Sequence, residues 1–310
     1  MNDHFTELKA RKLVRMLKDH DDTWYVRAIL SDRYRIIPND QLFMVAAEKI
    51  KALTAEVWDA RLSEDAFYLY CVAPGISAQV RTDRTFAGGG RWIGDEGDAV
   101  NAAIMVRNSE TGQGGCEVCP AIVRKLSGSY FVSQQALSVR HLGKKHVMDR
   151  LLSSETIRKG NSLLFDQVRD YIESTFDADK FQDFVDSLND ATQDELEDPA
   201  AAAEAVRLVY DLCEERKNAV IGWLMESGDK SRYGLAQAVA REAHDNNKLG
   251  ADEALHMERA SSDLIARQTS LKLAKAYKSK AELKALKAAA AAEDQVDEAS
   301  PVEADDSLDL

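Results

Sequence analysis

The stretches AVNAAIMVRN, residues 99–108, and CEVCPAIVRKL, residues 116–126, decide the fold of this chain. Both are rich in Val, Ile and Ala, and turn-forming residues bound them. Short β-prone runs separated by Gly, Pro, Asp or Asn are typical of antiparallel strands. Further runs of this kind lie at 56–60, 66–72, 77–81 and 130–142. We therefore predict an antiparallel sheet in the middle third of the chain.

The sequence on either side of this sheet has helical periodicity. At the N-terminus, Phe5, Leu8, Leu13, Met16 and Leu17 lie close to helical spacing and predict an amphipathic helix. A strand at 24–30 and a second helix at 39–53 follow. After the sheet, we expect helices at about 148–178, 180–190, 201–227, 231–247 and 251–290.

The predicted fold class is therefore α+β, with an antiparallel sheet in the middle third, flanking N-terminal helices, a helical C-terminal half and a disordered acidic tail. We expect a sheet-containing region at 1–147 and a helical region at 148–290 that packs on it. The two are either separate domains or one continuous domain. Residues 291–310 form the tail: eight acidic side chains and no basic one lie in 293–310, which favours disorder.

Composition limits the class of protein. The chain has 310 residues, four cysteines and a formal charge of −13. No run approaches the roughly 20 apolar residues of a membrane span, and residues 1–12 do not resemble a secretory signal. Four cysteines suit reduced thiols better than a disulfide framework. These features predict a cytoplasmic protein with no membrane partner.

A basic segment and a glycine-rich loop are the candidate binding site. Residues 120–150 carry six Arg or Lys side chains against Asp149 alone, and 88–90 are three consecutive glycines flanked by arginines and Trp92. Cations neutralise phosphates, and exposed aromatic rings stack on unpaired bases. The alternative is an ordinary glycine loop with solvated arginines. The predicted nucleic-acid-binding residues are Arg33, Arg35, Arg81, Arg84, Arg91, Trp92, Arg107, Arg124, Lys125, Arg140, His141, Lys144 and Lys145.

Other motifs give weaker predictions. Cys116 and Cys119 have the spacing of half a zinc site, but residues three apart in a strand face opposite sides, which favours two separate thiols. No GxSxG or HExxH motif occurs in the sequence. The carboxylates of Asp83, Asp95, Glu96 and Asp98 do not form a convincing metal-nuclease arrangement. We therefore predict no catalytic residues, no metal site and no cofactor.

Four segments resemble a phage- and plasmid-type family catalogued as domain of unknown function nine hundred thirty-two. They are LSDRYR at 30–35, VRNSETG at 106–112, RHLG at 140–143 and YGLAQAV at 233–239, and together they cover about residues 25–265. Where such proteins tend to have Cys-x-Asn, this chain has Ser127-Gly128-Ser129. The resemblance implies a mobile-element gene in a bacterial host cell, within a DNA-replication or recombination neighbourhood. It implies no catalytic residues.

The leading hypothesis is a non-enzymatic protein of DNA metabolism that binds nucleic acid, most naturally single-stranded DNA. The acidic tail is expected to occupy basic surfaces and to regulate access, although such tails also serve as solubilising ends. Two alternatives stay open. One is a metal-dependent nuclease, and the other is an oligomeric structural or interaction protein in which the long Ala-rich helical region 251–290 mediates assembly of a homo-oligomer.

Overall fold

The structure of this protein is a computed structural model that describes residues 12–31, 34, 37–80, 98–125, 127–139 and 154–266. For residues 154–161 it describes the backbone alone. The predicted N-terminal segment 1–11, the glycine-rich loop, the basic segment beyond Val139 and the acidic tail lie outside these ranges. The structural statements that follow concern the described residues.

Eight strands form two antiparallel sheets. Strands β1 (Lys12–Lys18) and β2 (Trp24–Ser31) form a separate hairpin. The main sheet has six strands in the order β3-β4-β5-β6-β7, and β8 pairs with β6 beside β7. Its strands are β3 (Glu56–Leu62), β4 (Phe67–Val80), β5 (Asp98–Asn108), β6 (Cys116–Arg124), β7 (Tyr130–Val132) and β8 (Leu137–Val139). The predicted antiparallel sheet is confirmed.

Seven helices accompany the sheets in the described residues. Helix α1 (Asn39–Ala52) precedes β3, as predicted. The others form the helical half: α2 (Ser154–Thr175), α3 (Ala178–Gln193), α4 (Pro199–Val209), α5 (Glu214–Ser227), α6 (Arg232–Asp245) and α7 (Ala251–Ala266). The helical C-terminal half is therefore confirmed. None of the described helices combines the length and apolar character needed to cross a membrane.

Two of the predicted helices differ from the structure, as do two strand predictions: the runs 66–72 and 77–81 form one strand, β4, and the run 130–142 contains two, β7 and β8. The helix predicted across Leu13, Met16 and Leu17 is wrong over Lys12–Lys18, because this segment pairs with Trp24–Ser31 as a strand. The single helix predicted at 201–227 is two helices, α4 and α5. Asp211 between them has a φ of 54°, which a right-handed helix does not accommodate.

The main sheet is buried on both faces because its central strands are almost wholly apolar. Successive residues of a strand point to opposite faces. Ile104 and Val106 of β5 therefore pack in the core that α1 and the helical half complete, whereas Met105 packs on the other face with Tyr70 and Leu255 of α7. Apolar residues of the sheet-containing region and of the helical region thus share one core cluster.

Candidate interaction surface

The structure describes three of the predicted nucleic-acid-binding residues. Arg107 and Arg124 are buried, and Lys125 is exposed. The remaining ten lie outside the described residues: Arg33, Arg35, Arg81, Arg84, Arg91, Trp92, Arg140, His141, Lys144 and Lys145.

The two buried arginines are paired with carboxylates. Arg107 donates to Asp252 of α7 at 2.9 Å, and its guanidinium lies 5.6 Å from the ring centroid of Tyr68. The Nε–H of Arg124 donates to Asp98, which is itself buried. Both side chains therefore join elements of the fold, and their guanidinium groups are occupied by protein partners.

The described strands show where the predicted basic segments leave the sheet. Val80 and Asp98 flank residues 81–97 and pair with each other at one end of the sheet. Lys125 lies at the same end, because its backbone amide donates to the carbonyl of Ala99. Val139 precedes residue 140 and pairs with Cys116 at the start of β6. Because β6 spans nine residues, these exit points are roughly 26 Å apart at about 3.3 Å per residue.

Of the four carboxylates weighed against a metal-nuclease arrangement, the structure describes that of Asp98. It accepts hydrogen bonds from the hydroxyl of Tyr233 and the amide of Gln237, both at 2.6 Å, in addition to Arg124. This carboxylate joins the start of β5 to α6. Asp83, Asp95 and Glu96 lie outside the described residues.

The cysteines of the CxxC sequence face opposite sides of the sheet, as their spacing in a strand predicts. Cys116 packs with the α1 side of the sheet, and Cys119 packs with the α7 side. Burial raises the pKa of the Cys116 thiol to about 12 and also raises that of Cys119. Both thiols are therefore protonated at neutral pH.

Polar side chains form a layer between the sheet and α7. Glu258 accepts from the hydroxyl of Tyr70 at 2.7 Å and lies 3.3 Å from Arg61 of β3. Arg259 donates to Glu117 of β6 at 2.7 Å. Together with the Arg107–Asp252 pair, these contacts attach α7 to four strands, β3 to β6. The hydroxyl of Tyr130 is buried beside this layer without a partner in the described residues.

A cleft of about 490 Å³ lies between the sheet and helices α2 and α3. Tyr171, Phe181 and Phe184 form much of its aromatic wall. The hydroxyls of Ser174 and Thr175 line it, but both donate to the carbonyl of Tyr171. Both hydroxyl protons are therefore engaged in hydrogen bonds within α2 and do not point to a ligand in the cleft.

The residues of the VRNSETG motif attach the hairpin to the body of the protein. Glu110 binds Arg15 of β1 at 2.6 Å and accepts from the amide of Asn39 at the start of α1 at 2.8 Å. The hydroxyl of Tyr34 donates to the carbonyl of Ser109 at 2.7 Å. The motif therefore holds three elements together at one end of the sheet.

Gly112 completes this attachment. Its φ is 87°, a conformation that favours glycine. A Cβ atom at this position would lie 2.6 Å from Cδ2 of Leu30 in β2. The hairpin therefore packs directly on the glycine backbone.

The hairpin has two different faces. Opposed residues of antiparallel strands share a face, and the register pairs Leu13 with Leu30 and Arg15 with Ala28. These four residues are half-buried and lie toward the body, whereas Leu17 and Tyr25, on the same side but nearer the turn, are about half exposed. The shift in register after Arg15 is a bulge that leaves Arg27 unpaired, and the guanidinium of Arg27 donates to the carbonyl of Glu64 at 2.7 Å.

The opposite face is apolar and exposed, and we call it the outer face of the hairpin. It consists of Val14, Met16, Trp24, Val26 and Ile29, all about half exposed or more, with Val26 at 58% and Ile29 at 66%. Lys12 and Lys18 lie on the same face at its ends, and Nζ of Lys18 lies 5.9 Å from the centroid of the Trp24 ring. A contiguous exposed apolar face of this kind is typical of an interaction site.

A second exposed apolar group lies on α1 and on the outer strand β3, and we call it the edge surface. It consists of Phe43, Met44, Val57, Trp58 and Leu62. Strand β3 pairs with β4 alone within the described sheet, so its outer side is an open edge. Outside the hairpin and the edge surface, the large apolar side chains most exposed in the described residues are Leu163 and Met225.

The hairpin was not predicted as a functional element from the sequence. The signal that could have found it is a pair of apolar segments, 12–18 and 24–31, separated by Asp21 and Asp22. Asp22 adopts a φ of 61° in the turn, a conformation that Asp tolerates better than most residues.

Comparison of the chain with protein-family models, with curated proteins and with solved structures gives no match. The resemblance to the phage- and plasmid-type family therefore stays a prediction.

Proposed function

We propose that this chain is an interaction protein that assembles with other copies of itself through the outer face of its hairpin. The observation that supports this most is the exposure of five apolar side chains, Val14, Met16, Trp24, Val26 and Ile29, on a single face. Contact with another chain would remove this apolar face from water, and burial of apolar surface stabilises such a contact. The hairpin is therefore best explained as a contact surface for another chain.

Light scattering coupled to size exclusion tests this proposal. The full-length protein is expected to show a mass above the 34.4 kDa of one chain, with the assembled fraction increasing with concentration. Val26→Glu, which places a charge in the apolar face, is expected to reduce the mass to that of a single chain. The matched control is Met225→Glu on α5, because Met225 is 78% exposed and lies far from the hairpin in the chain.

The proposal is contradicted if the unmodified protein stays a single chain at high concentration. It is contradicted equally if Val26→Glu leaves the mass unchanged, because another surface would then hold the copies together.

Binding of single-stranded nucleic acid is a second candidate function, and the placement of Lys18 beside Trp24 favours it. The ring of Trp24 is 58% exposed, with Lys12 and Lys18 on the same face of the hairpin. Exposed aromatic rings next to cations are the usual platform for unpaired bases and phosphates.

Fluorescence anisotropy of a labelled single-stranded oligonucleotide tests the second candidate. We expect salt-sensitive binding by the full chain and tighter binding by a chain ending at Ala292, which lacks the acidic tail. Trp24→Ala is expected to weaken binding about 5- to 150-fold, since stacking on an aromatic ring contributes roughly 1–3 kcal/mol per base. Trp58→Ala, a comparably exposed tryptophan on β3, is the control. Absence of binding by every form at low salt would rule out this function.

A further inference from the structure

We infer that the outer face of the hairpin docks on the edge surface of a second copy, so that the contact is head-to-tail. This inference rests on the proposed function and names the surface that receives the hairpin. It also specifies the symmetry of the assembly, because the two surfaces belong to different elements of the same chain.

The distribution of exposed apolar residues is the first argument. Among the described residues, the large exposed apolar side chains are concentrated in two places, the hairpin and the edge surface. Leu163 and Met225 stand apart from both, on α2 and α5. If a copy of this chain covers the hairpin, the edge surface is the apolar partner that the same chain offers.

The second argument is a groove that adjoins the edge surface at Val57. A shallow groove of about 410 Å³ lies between α1 and the start of β3, and Ala47, Ile50 and Val57 contribute its apolar lining. The hairpin is attached at the other end of these elements, where Glu110 binds the first residue of α1. The groove and the hairpin attachment therefore lie at opposite ends of α1, which suits a contact that continues from copy to copy.

The charges of the two surfaces are complementary. The charged residues on the outer face of the hairpin are Lys12 and Lys18, and Nζ of Lys18 also pairs with Asp22 of the turn. The exposed charged residues around the edge surface are mainly acidic: Asp40, Glu48, Glu56 and Glu64, with Lys51 as the cation, and Glu48 lies 3.5 Å from Arg169 of α2. Complementary charges at the rim of an apolar contact fix its orientation more than its strength.

A contact between two different surfaces has a predictable consequence. Each copy that docks its hairpin leaves its own edge surface open for the next copy, so the assembly closes as a ring or extends as a filament. A contact between two hairpins would instead be isologous and would end at a dimer.

Mixing of two complementary variants of the full chain distinguishes these arrangements. The hairpin variant carries Val26→Glu and Ile29→Glu, and the edge variant carries Met44→Glu and Leu62→Glu. All four side chains are more than half exposed, so the substitutions leave the core intact. The matched control carries Leu163→Glu and Met225→Glu, which add the same charge at sites with 63% and 78% exposure.

The head-to-tail contact predicts that each variant alone has the mass of one chain, while the control assembles like the unmodified protein. An equimolar mixture of the two variants is expected to give a one-to-one complex with twice the 34.4 kDa of one chain, because one intact hairpin then meets one intact edge surface. Light scattering measures these masses.

Three results would overturn this inference, and they show whether the head-to-tail contact or the proposed function itself is wrong. An edge variant that assembles like the unmodified protein places the contact between hairpins, and the proposed function then stands without the edge surface. Two single-chain variants that do not combine in the mixture also exclude the head-to-tail contact. A hairpin variant that still assembles contradicts the proposed function itself.

Discussion

The carboxyl of Glu258 has no exposed surface, yet its contacts are a tyrosine hydroxyl and a guanidinium at 3.3 Å. Burial raises the pKa of this carboxyl to about 7, and the Arg61 charge and the Tyr70 hydrogen bond offset part of that increase. The folded protein therefore binds a proton at Glu258 more readily than the unfolded chain does. Over the range from about pH 4.5 to 7, the contribution of this group to stability falls as pH rises.

Replacement of Glu258 by Gln tests this dependence. The difference in unfolding free energy between the unmodified protein and Glu258→Gln is expected to shift by roughly 3 kcal/mol between pH 4.5 and pH 7, in favour of the Gln variant at the higher pH. Gln keeps an acceptor for Tyr70, so the hydrogen bond is preserved. Urea unfolding at several pH values measures the difference, and a difference independent of pH would contradict the raised pKa.

At the scale of elements, the attachment of the hairpin depends on Gly112. Alanine at a φ of 87° costs about 1–2 kcal/mol, and its Cβ would also displace Leu30. Gly112→Ala is therefore expected to speed amide hydrogen exchange in β1 and β2 by about 5- to 30-fold, through easier local opening. Gly222→Ala in α5 is the control, since a Cβ there meets no atom within 4 Å. Unchanged exchange in the hairpin of Gly112→Ala would show that the glycine does not hold it.

The elements that the sequence predicts correctly are those with one clear pattern. The strands around Ala102 and Ile122 are continuous apolar runs between turns, and α1 has helical spacing with a basic last turn. The segment Lys12–Lys18 lacks such clarity, because apolar side chains occupy both faces of the strand: Leu13 faces the body and Val14 faces solvent. Because polar and apolar residues do not alternate in this segment, its apolar residues fit the spacing of a helix as well as that of a strand.

The sequence predicted the role of the candidate binding arginines less well than the fold, because their partners lie far away in the sequence. Sequence identifies Arg107 as a cation, but its partner Asp252 lies 145 positions away on α7. Arg124 is likewise paired with a carboxylate distant in sequence, Asp98, which also accepts hydrogen bonds from two residues of α6. Long-range pairing decides whether an arginine contacts phosphate or joins two elements, and this pairing exists only in the folded chain.

At the scale of the whole molecule, one helix of the helical half presents a row of exposed acidic side chains. Helix α3 carries Asp179, Asp183, Asp186 and Asp190 with Lys180 as its basic residue. Two such acidic surfaces repel each other. The hairpin and the edge surface, which combine apolar residues with complementary charges, are therefore the surfaces through which copies of this chain are expected to meet.

Oxidative footprinting of side chains across a concentration series tests this claim most directly, because Met and Trp report their own exposure. Head-to-tail assembly predicts that Met16 and Trp24 of the hairpin, and Met44 and Trp58 of the edge surface, lose reactivity together as concentration rises. Met225, which is 78% exposed on α5, is expected to react equally at every concentration. Constant reactivity of Met16 and Trp24 would contradict the proposed assembly, and protection of the hairpin without protection of Met44 and Trp58 would contradict its head-to-tail form.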